Sequence, residues 1–222
     1  MRLLLIDTCG SEGSVAIADT EREPAVVASE QLPGRSSSER LVPAVRRLME
    51  ARGWRVKDLT AIVVVSGPGS FTGVRVGMSA AKGLSEAGGV PVIAVSRLAL
   101  LAGLAGVSEV RVCGVLDAGR GEFYFGEYVE HRAIREALME RVEVETAAGG
   151  SCVVVCEAAV AEALDGLHPK LVREPVAADA LAIALERVAA GEFDDVATLD
   201  ANYLRRTDAQ IFAKPKSKSG AS

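Results

Sequence analysis

Aromatic residues are scarce in this chain, at 4% of 222 residues, and histidine occurs only twice. The core must therefore be filled by Val, Leu, Ala and Ile. His131 and His168 stand apart from each other and from any other ligand-type cluster, which argues for surface histidines and against a metal centre. No serine sits in a Gly-x-Ser-x-Gly elbow, and no cysteine has a neighbouring histidine to activate it. The four cysteines form neither a paired framework nor a zinc spacing. Cys152 and Cys156 bracket a valine run and read as buried thiols in a reducing cytoplasm. Long apolar runs are missing too. Residues 90–107 are broken by Pro91 and Arg97, and the apolar start of the chain ends at Asp7. Neither a membrane span nor a signal peptide is expected. The net charge of −5 argues against unaided binding of nucleic acid, which relies on Lys and Arg.

What is present is ordinary for a soluble globular protein: 49% hydrophobic and 25% charged residues, enough for one large domain or two small ones. Residues 2–7, 14–19 and 25–32 read as strands. Ser36 and Glu39 have capping-box spacing, and a helix follows to about Arg52, with Pro43 inside it and Gly53 ending it. Strands are expected at 61–65 and 91–95, and helices at 72–87 and 96–105. Near-continuous apolar strands between helices predict an α/β sheet covered on both faces. In the second half, strands are expected at 111–116, 122–130 and 152–155, and helices at 158–164 and 178–190. The stretch to Gly150 reads as polar and carries no assigned element.

The chain is organised around Ser66-Gly67-Pro68-Gly69-Ser70-Phe71-Thr72-Gly73-Val74-Arg75-Val76-Gly77, between an expected buried strand and a helix. Such a strand, Gly-rich turn and helix N-terminus often binds anions, and is equally how a compact βα turn is built. It fails both phosphate templates. Val74-Arg75 stand where a P-loop carries Lys-Ser/Thr, and the third glycine comes one residue late for a dinucleotide fingerprint. Arg75 opposes the dipole of the helix it begins and calls for a carboxylate or phosphate partner, within the chain or outside it. Gly73, Gly77 and Ala81, with Val74, Met78 and Leu84 beside them, form a small-residue stripe that fits internal packing and a partner helix equally.

Asp7 and Asp117 each end an apolar strand before a Gly-containing turn and a second strand, which suggests a duplication. Facing each other across a cleft, they could serve a nucleotide and its Mg²⁺. Capping their own turns is the simpler reading. The basic tail, with Lys214, Lys216 and Lys218, reads as a solvated segment rather than an RNA grip.

Leu5-Ile6-Asp7-Thr8, Ser38-Glu39-Arg40-Leu41-Val42-Pro43, the 66–77 block, Leu116-Asp117-Ala118-Gly119-Arg120-Gly121-Glu122-Phe123-Tyr124 and Tyr203-Leu204-Arg205 together resemble the TsaB (YeaZ) family. The resemblance is strongest up to about Leu101 and weak over 130–200. It implies the actin/Hsp70-like (ASKHA, ribonuclease H-like) fold, two βββαβαβα lobes with the second reduced. The lobes would be 1–106, completed by a segment near 191–212, and 107–190, with a tail at 213–222. It implies a non-catalytic subunit, with no cofactor and no metal, in the making of threonylcarbamoyladenosine at position 37 of tRNAs reading codons that begin with A. Its implied partners are TsaD, which it activates, and TsaE, with tRNA met only within the complex and a homodimer when alone. By resemblance the TsaD-facing helices are 38–52 and 72–87, giving the interface set Leu41, Val45, Leu48, Val74, Gly77, Met78, Ala81 and Leu84. Asp7, Thr8, Gly67, Gly69 and Asp117 would mark a vestigial nucleotide cleft. The competing expectation is an active nucleotide hydrolase or transferase using Asp7, Gly67 and Asp117.

Overall fold

The computed structural model describes residues 1–34, 37–107, 110–130 and 132–204. Ser36, His131 and the tail at 213–222 fall outside the described residues.

The apolar run Arg2–Asp7 (β1) pairs antiparallel with Gly13–Asp19 (β2), which pairs antiparallel with Val26–Leu32 (β3). The all-apolar segments Ala61–Val65 (β4) and Val92–Val95 (β5) extend the other side in parallel, giving the order β3-β2-β1-β4-β5. Ser37–Glu50 (α1) and Phe71–Gly88 (α2) cover one face of this sheet. Ser70 caps α2, its hydroxyl accepting the Gly73 N–H. Arg97–Gly103 (α3) follows β5.

The second sheet repeats the order. Val112–Gly119 (β6), Glu122–Val129 (β7) and Arg132–Glu140 (β8) form an antiparallel meander. After Arg141–Ala147 (α4), Cys152–Val155 (β9) joins β6 in parallel. Ala158–Ala163 (α5) leads to the two-residue strand Lys170–Leu171 (β10), for the order β10-β9-β6-β7-β8. The chain then returns to the first sheet through the 3-10 helix Ala177–Ala180 and Leu181–Ala190 (α6). The expected polar stretch before Gly150 is therefore a strand and a helix.

The expected lobe boundaries need correction. Leu98, Leu101 and Ala102 of α3, placed in the first lobe by sequence, pack with Val112, Leu116 and Val154 of the second. Ala177, Ala180 and Ala184, placed in the second, are buried in the core of the first. Asp194, in the segment near 191–212 expected with the first lobe, forms a bridge with Val92 of β5. In both halves the helix after the fifth strand crosses to the other sheet.

The glycines at 69, 73 and 77 admit close packing on the end of β1. A Cβ at Gly69 would strike the Cys9 carbonyl, and one at Gly73 the Thr8 carbonyl. One at Gly77 would lie 2.5 Å from the Thr8 hydroxyl oxygen. Thr8 in turn donates its hydroxyl to the Gly73 carbonyl at 2.6 Å.

Candidate functional site

Two concave regions stand out: a cleft of about 510 Å³ between the sheets and a groove of about 560 Å³ between α1 and α2.

The cleft is framed by the turn after β1, the turn after β6 and the segment crossing between lobes. Asp7 is buried and accepts the Cys9 N–H at 2.8 Å, while Asp117 is exposed and accepts the Gly119 N–H at 2.8 Å. Both carboxylates thus cap their own turns. Gly69 and Asp117 line the cleft, whereas Asp7 is buried and not part of its lining. Gly67 is tied into the structure, its carbonyl accepting the Arg97 N–H at 2.7 Å. Thr8 is committed to Gly73.

The charged centre of the cleft went unread in sequence. Arg97 is 5% exposed, and its Nη2 donates to Glu174 at 2.6 Å. Burial works against its charge, and Asp7 and Glu174 more than offset that. Burial raises the Asp7 pKa, with Arg97 opposing. Burial also raises Glu157, on the cleft wall, aided by repulsion from Asp117. Glu174 behaves the opposite way. Partial burial would raise it, but hydrogen bonds from Ser11 and Arg97 hold it below the ordinary glutamate range. The one sequence signal was Arg97 interrupting an apolar run; Glu174 offered none.

Cys9 and Cys156 also line the cleft. Burial, and then the Asp7 charge, pushes the Cys9 thiol up, and burial pushes Cys156 up to about 11. Both are therefore protonated at neutral pH and poor nucleophiles. Cys152 and Cys156 are half-buried rather than buried: Cys152 begins β9 and Cys156 lies just past its last residue. Among the described residues no cluster of three or more His, Cys, Asp or Glu suits a metal ion. No described helix is long and apolar enough to cross a membrane.

The expected interface set lies mostly beneath the groove, on the inner faces of α1 and α2. Leu41, Val45, Val74, Gly77, Met78 and Ala81 are buried within the chain, and Leu48 and Leu84 pack half-buried against the same core. They form the apolar faces that α1 and α2 turn to the sheet. The outward groove is lined by Leu41 of that set, and otherwise by Val42, 54% exposed, Phe71, 49% exposed, and by Thr72, Val76 and Ala80. At its end Arg75 lies over the Phe71 ring at 3.6 Å and donates from Nε to the Tyr203 hydroxyl at 2.8 Å. Among the described residues its partners are the Phe71 and Tyr203 rings and the Tyr203 hydroxyl, rather than a carboxylate of the chain.

Two five-stranded sheets of one order around a cleft define a duplicated α/β protein of the actin/Hsp70-like class. A family model described as TsaD: tRNA N6-adenosine threonylcarbamoyltransferase matches residues 29–197. The chain is 37% identical over 130 residues to tRNA threonylcarbamoyladenosine biosynthesis protein TsaB of Escherichia coli, covering 58% of this chain and 55% of that one. Against TsaB of Bacillus subtilis the identity is 35% over 143 residues, 64% of this chain and 59% of that one. The chain thus spans somewhat over half the length of these curated relatives. The structure of YeaZ from Pseudomonas aeruginosa superposes with a TM-score of 0.76 at 30% identity, covering 91% of this chain and 99% of that one. The chain belongs to the TsaB (YeaZ) family.

Proposed function

We propose that the chain serves tRNA threonylcarbamoyladenosine biosynthesis as a non-catalytic subunit that pairs with TsaD through the α1/α2 groove, activates it and offers a docking surface to TsaE. The role follows the names of its relatives. The observation that carries the docking surface is the groove itself, where Val42 and Phe71 expose apolar surface that a partner helix would cover. The outward residues Val42, Phe71, Val76 and Ala80 replace the buried set as the contact. Without the partner, a second copy of the chain competes for the same face. Transfer RNA is met within the complex, in keeping with the chain's net negative charge.

The test is co-purification with TsaD, followed by a tRNA modification assay with and without this chain. Val42→Asp together with Ala80→Asp places two charges in the groove, and these should weaken association about tenfold or more. Circular dichroism would show the fold retained. Undiminished association of the folded variant would remove the groove from the interface.

A further inference from the structure

We propose that Arg75 sets the specificity of the α1/α2 groove: its guanidinium is held in place to pair with one carboxylate on the partner helix that the groove receives. The inference rests on the docking role proposed above and adds the chemistry that the occupant must carry. Among the described residues lining the groove, Arg75 alone is charged. It lies near the N-terminal, positive end of α2, where a cation gains nothing from the helix. A solitary cation at the end of an otherwise uncharged groove is complementary to a single acidic group on whatever fills it.

The contacts of the guanidinium fix it and leave one edge open. One face lies on the Phe71 ring, 3.6 Å from its centroid, and the Tyr203 ring is 5.7 Å away. Nε donates to the Tyr203 hydroxyl at 2.8 Å, across 128 residues of sequence. Tyr203 is itself anchored. The neighbouring Asn202 N–H donates to the Ser66 carbonyl, just past β4, at 2.8 Å, and the Asn202 side-chain amide donates to Glu136 of β8. Leu204 packs with the cluster around Leu98 and Tyr128. The segment that steadies Arg75 is thus tied to both sheets. Among the described residues neither Nη of Arg75 makes a hydrogen bond, and the side chain is exposed. Those two nitrogens form the edge that takes a carboxylate in a bidentate pair. A guanidinium already stacked and bonded loses little freedom when the carboxylate arrives, which favours the pair. Lysine has neither the plane nor the fork, so the position discriminates between the two cations. The occupant is therefore an amphipathic helix with an apolar stripe over Val42, Val76 and Ala80 and an Asp or Glu at the end that meets Phe71.

The test measures the affinity of the full chain for TsaD by calorimetry at two salt concentrations. Arg75→Gln should weaken association about tenfold or more and flatten its salt dependence, because the charged pair is lost. Tyr203→Phe should weaken it by a smaller factor through release of Arg75, and should add nothing in the Arg75→Gln background. Val42→Asp with Ala80→Asp reports on the groove itself. If that variant binds weakly while Arg75→Gln binds as the unaltered chain does, the groove stands and the arginine proposal falls. If neither loses affinity, the docking role falls and this proposal with it. Arg75→Lys supplies an amine for a second readout in the complex. A water-soluble carbodiimide joins that amine to a carboxylate in contact with it, the reagent taking up the water released, and peptide mass spectrometry locates the link. A link from position 75 to an Asp or Glu of TsaD supports the proposal. A link to a second copy of this chain, or within one chain, overturns it.

Discussion

The two sheets share strand order and pairing directions, yet they are covered differently. On the first, α1 and α2 run for 14 and 18 residues, while their counterparts α4 and α5 have 7 and 6. The fifth strand shrinks from four buried or half-buried residues in β5 to two exposed ones in β10. Central strands follow: β2 is buried along its whole length, whereas β7 alternates before its buried centre. A sheet covered by long helices becomes a rigid body with helix surface to spare, and a docking groove needs that spare surface. The short helices of the second lobe serve chiefly to close its own core. The topology is shared by the two halves, and helix length is what sets them apart.

The strongest way to break this comparison is to cut matching positions in the two cores. Counting back from Asp7 and Asp117, Leu5 of β1 corresponds to Val115 of β6, and both are buried. Leu5→Ala should cost about 2–5 kcal/mol, and Val115→Ala less, about 1–3 kcal/mol, since fewer methyl groups leave. Because α3 and α6 each pack across to the other sheet, both variants should melt in a single transition in urea. Two separate transitions would mean that the crossing helices do not couple the lobes.

The same contrast explains what sequence could reveal. Strands such as Ala61–Val65 and Cys152–Val155 were legible because buried parallel strands are apolar throughout. Arg132–Glu140 was missed because it is an edge strand with charged residues at both ends and an exposed Ile134, so neither a continuous nor a cleanly alternating pattern marks it. The lobe boundaries were misplaced because the crossings of α3 and α6 are long-range packing, invisible to local periodicity. At the candidate sites the residue types were legible and their directions were not. An apolar stripe marks the side of a helix that needs covering, and for α1 and α2 the sheet already covers it. Arg97 and Glu174 meet across 77 residues, and no spacing announces such a pair.

Gly77 sharpens the comparison next. Its Cβ position lies 2.5 Å from Thr8 Oγ1 and 3.5 Å from Val64 Cγ2. Gly77 belongs to the interface set implied by the resemblance, but in the structure its enlargement is a test of folding. Gly77→Leu should destabilise the chain by about 1–3 kcal/mol through overpacking, measured by thermal or urea melts of the isolated protein. Unchanged stability with lost TsaD affinity would return Gly77 to the interface.

The smallest effects belong to the paired turn aspartates, where one geometry meets two environments. Each accepts the N–H two residues on at 2.8 Å, but Asp7 is buried and Asp117 exposed. Asparagine keeps that acceptor and removes the charge. At Asp117, in solvent, the change should stay within about 0.5 kcal/mol. At Asp7, burial raises the pKa in the folded state, with attraction from Arg97 only partly offsetting it. A folded pKa above the unfolded one means that the folded chain binds the proton more tightly. Its contribution to stability is therefore full below the unfolded value and is lost as pH rises through the folded value. Asp7→Asn escapes that loss, so its stability relative to the unaltered chain should climb between acid and neutral pH. A stability difference that falls over that range would show that the Arg97 attraction, and not burial, dominates at the end of β1.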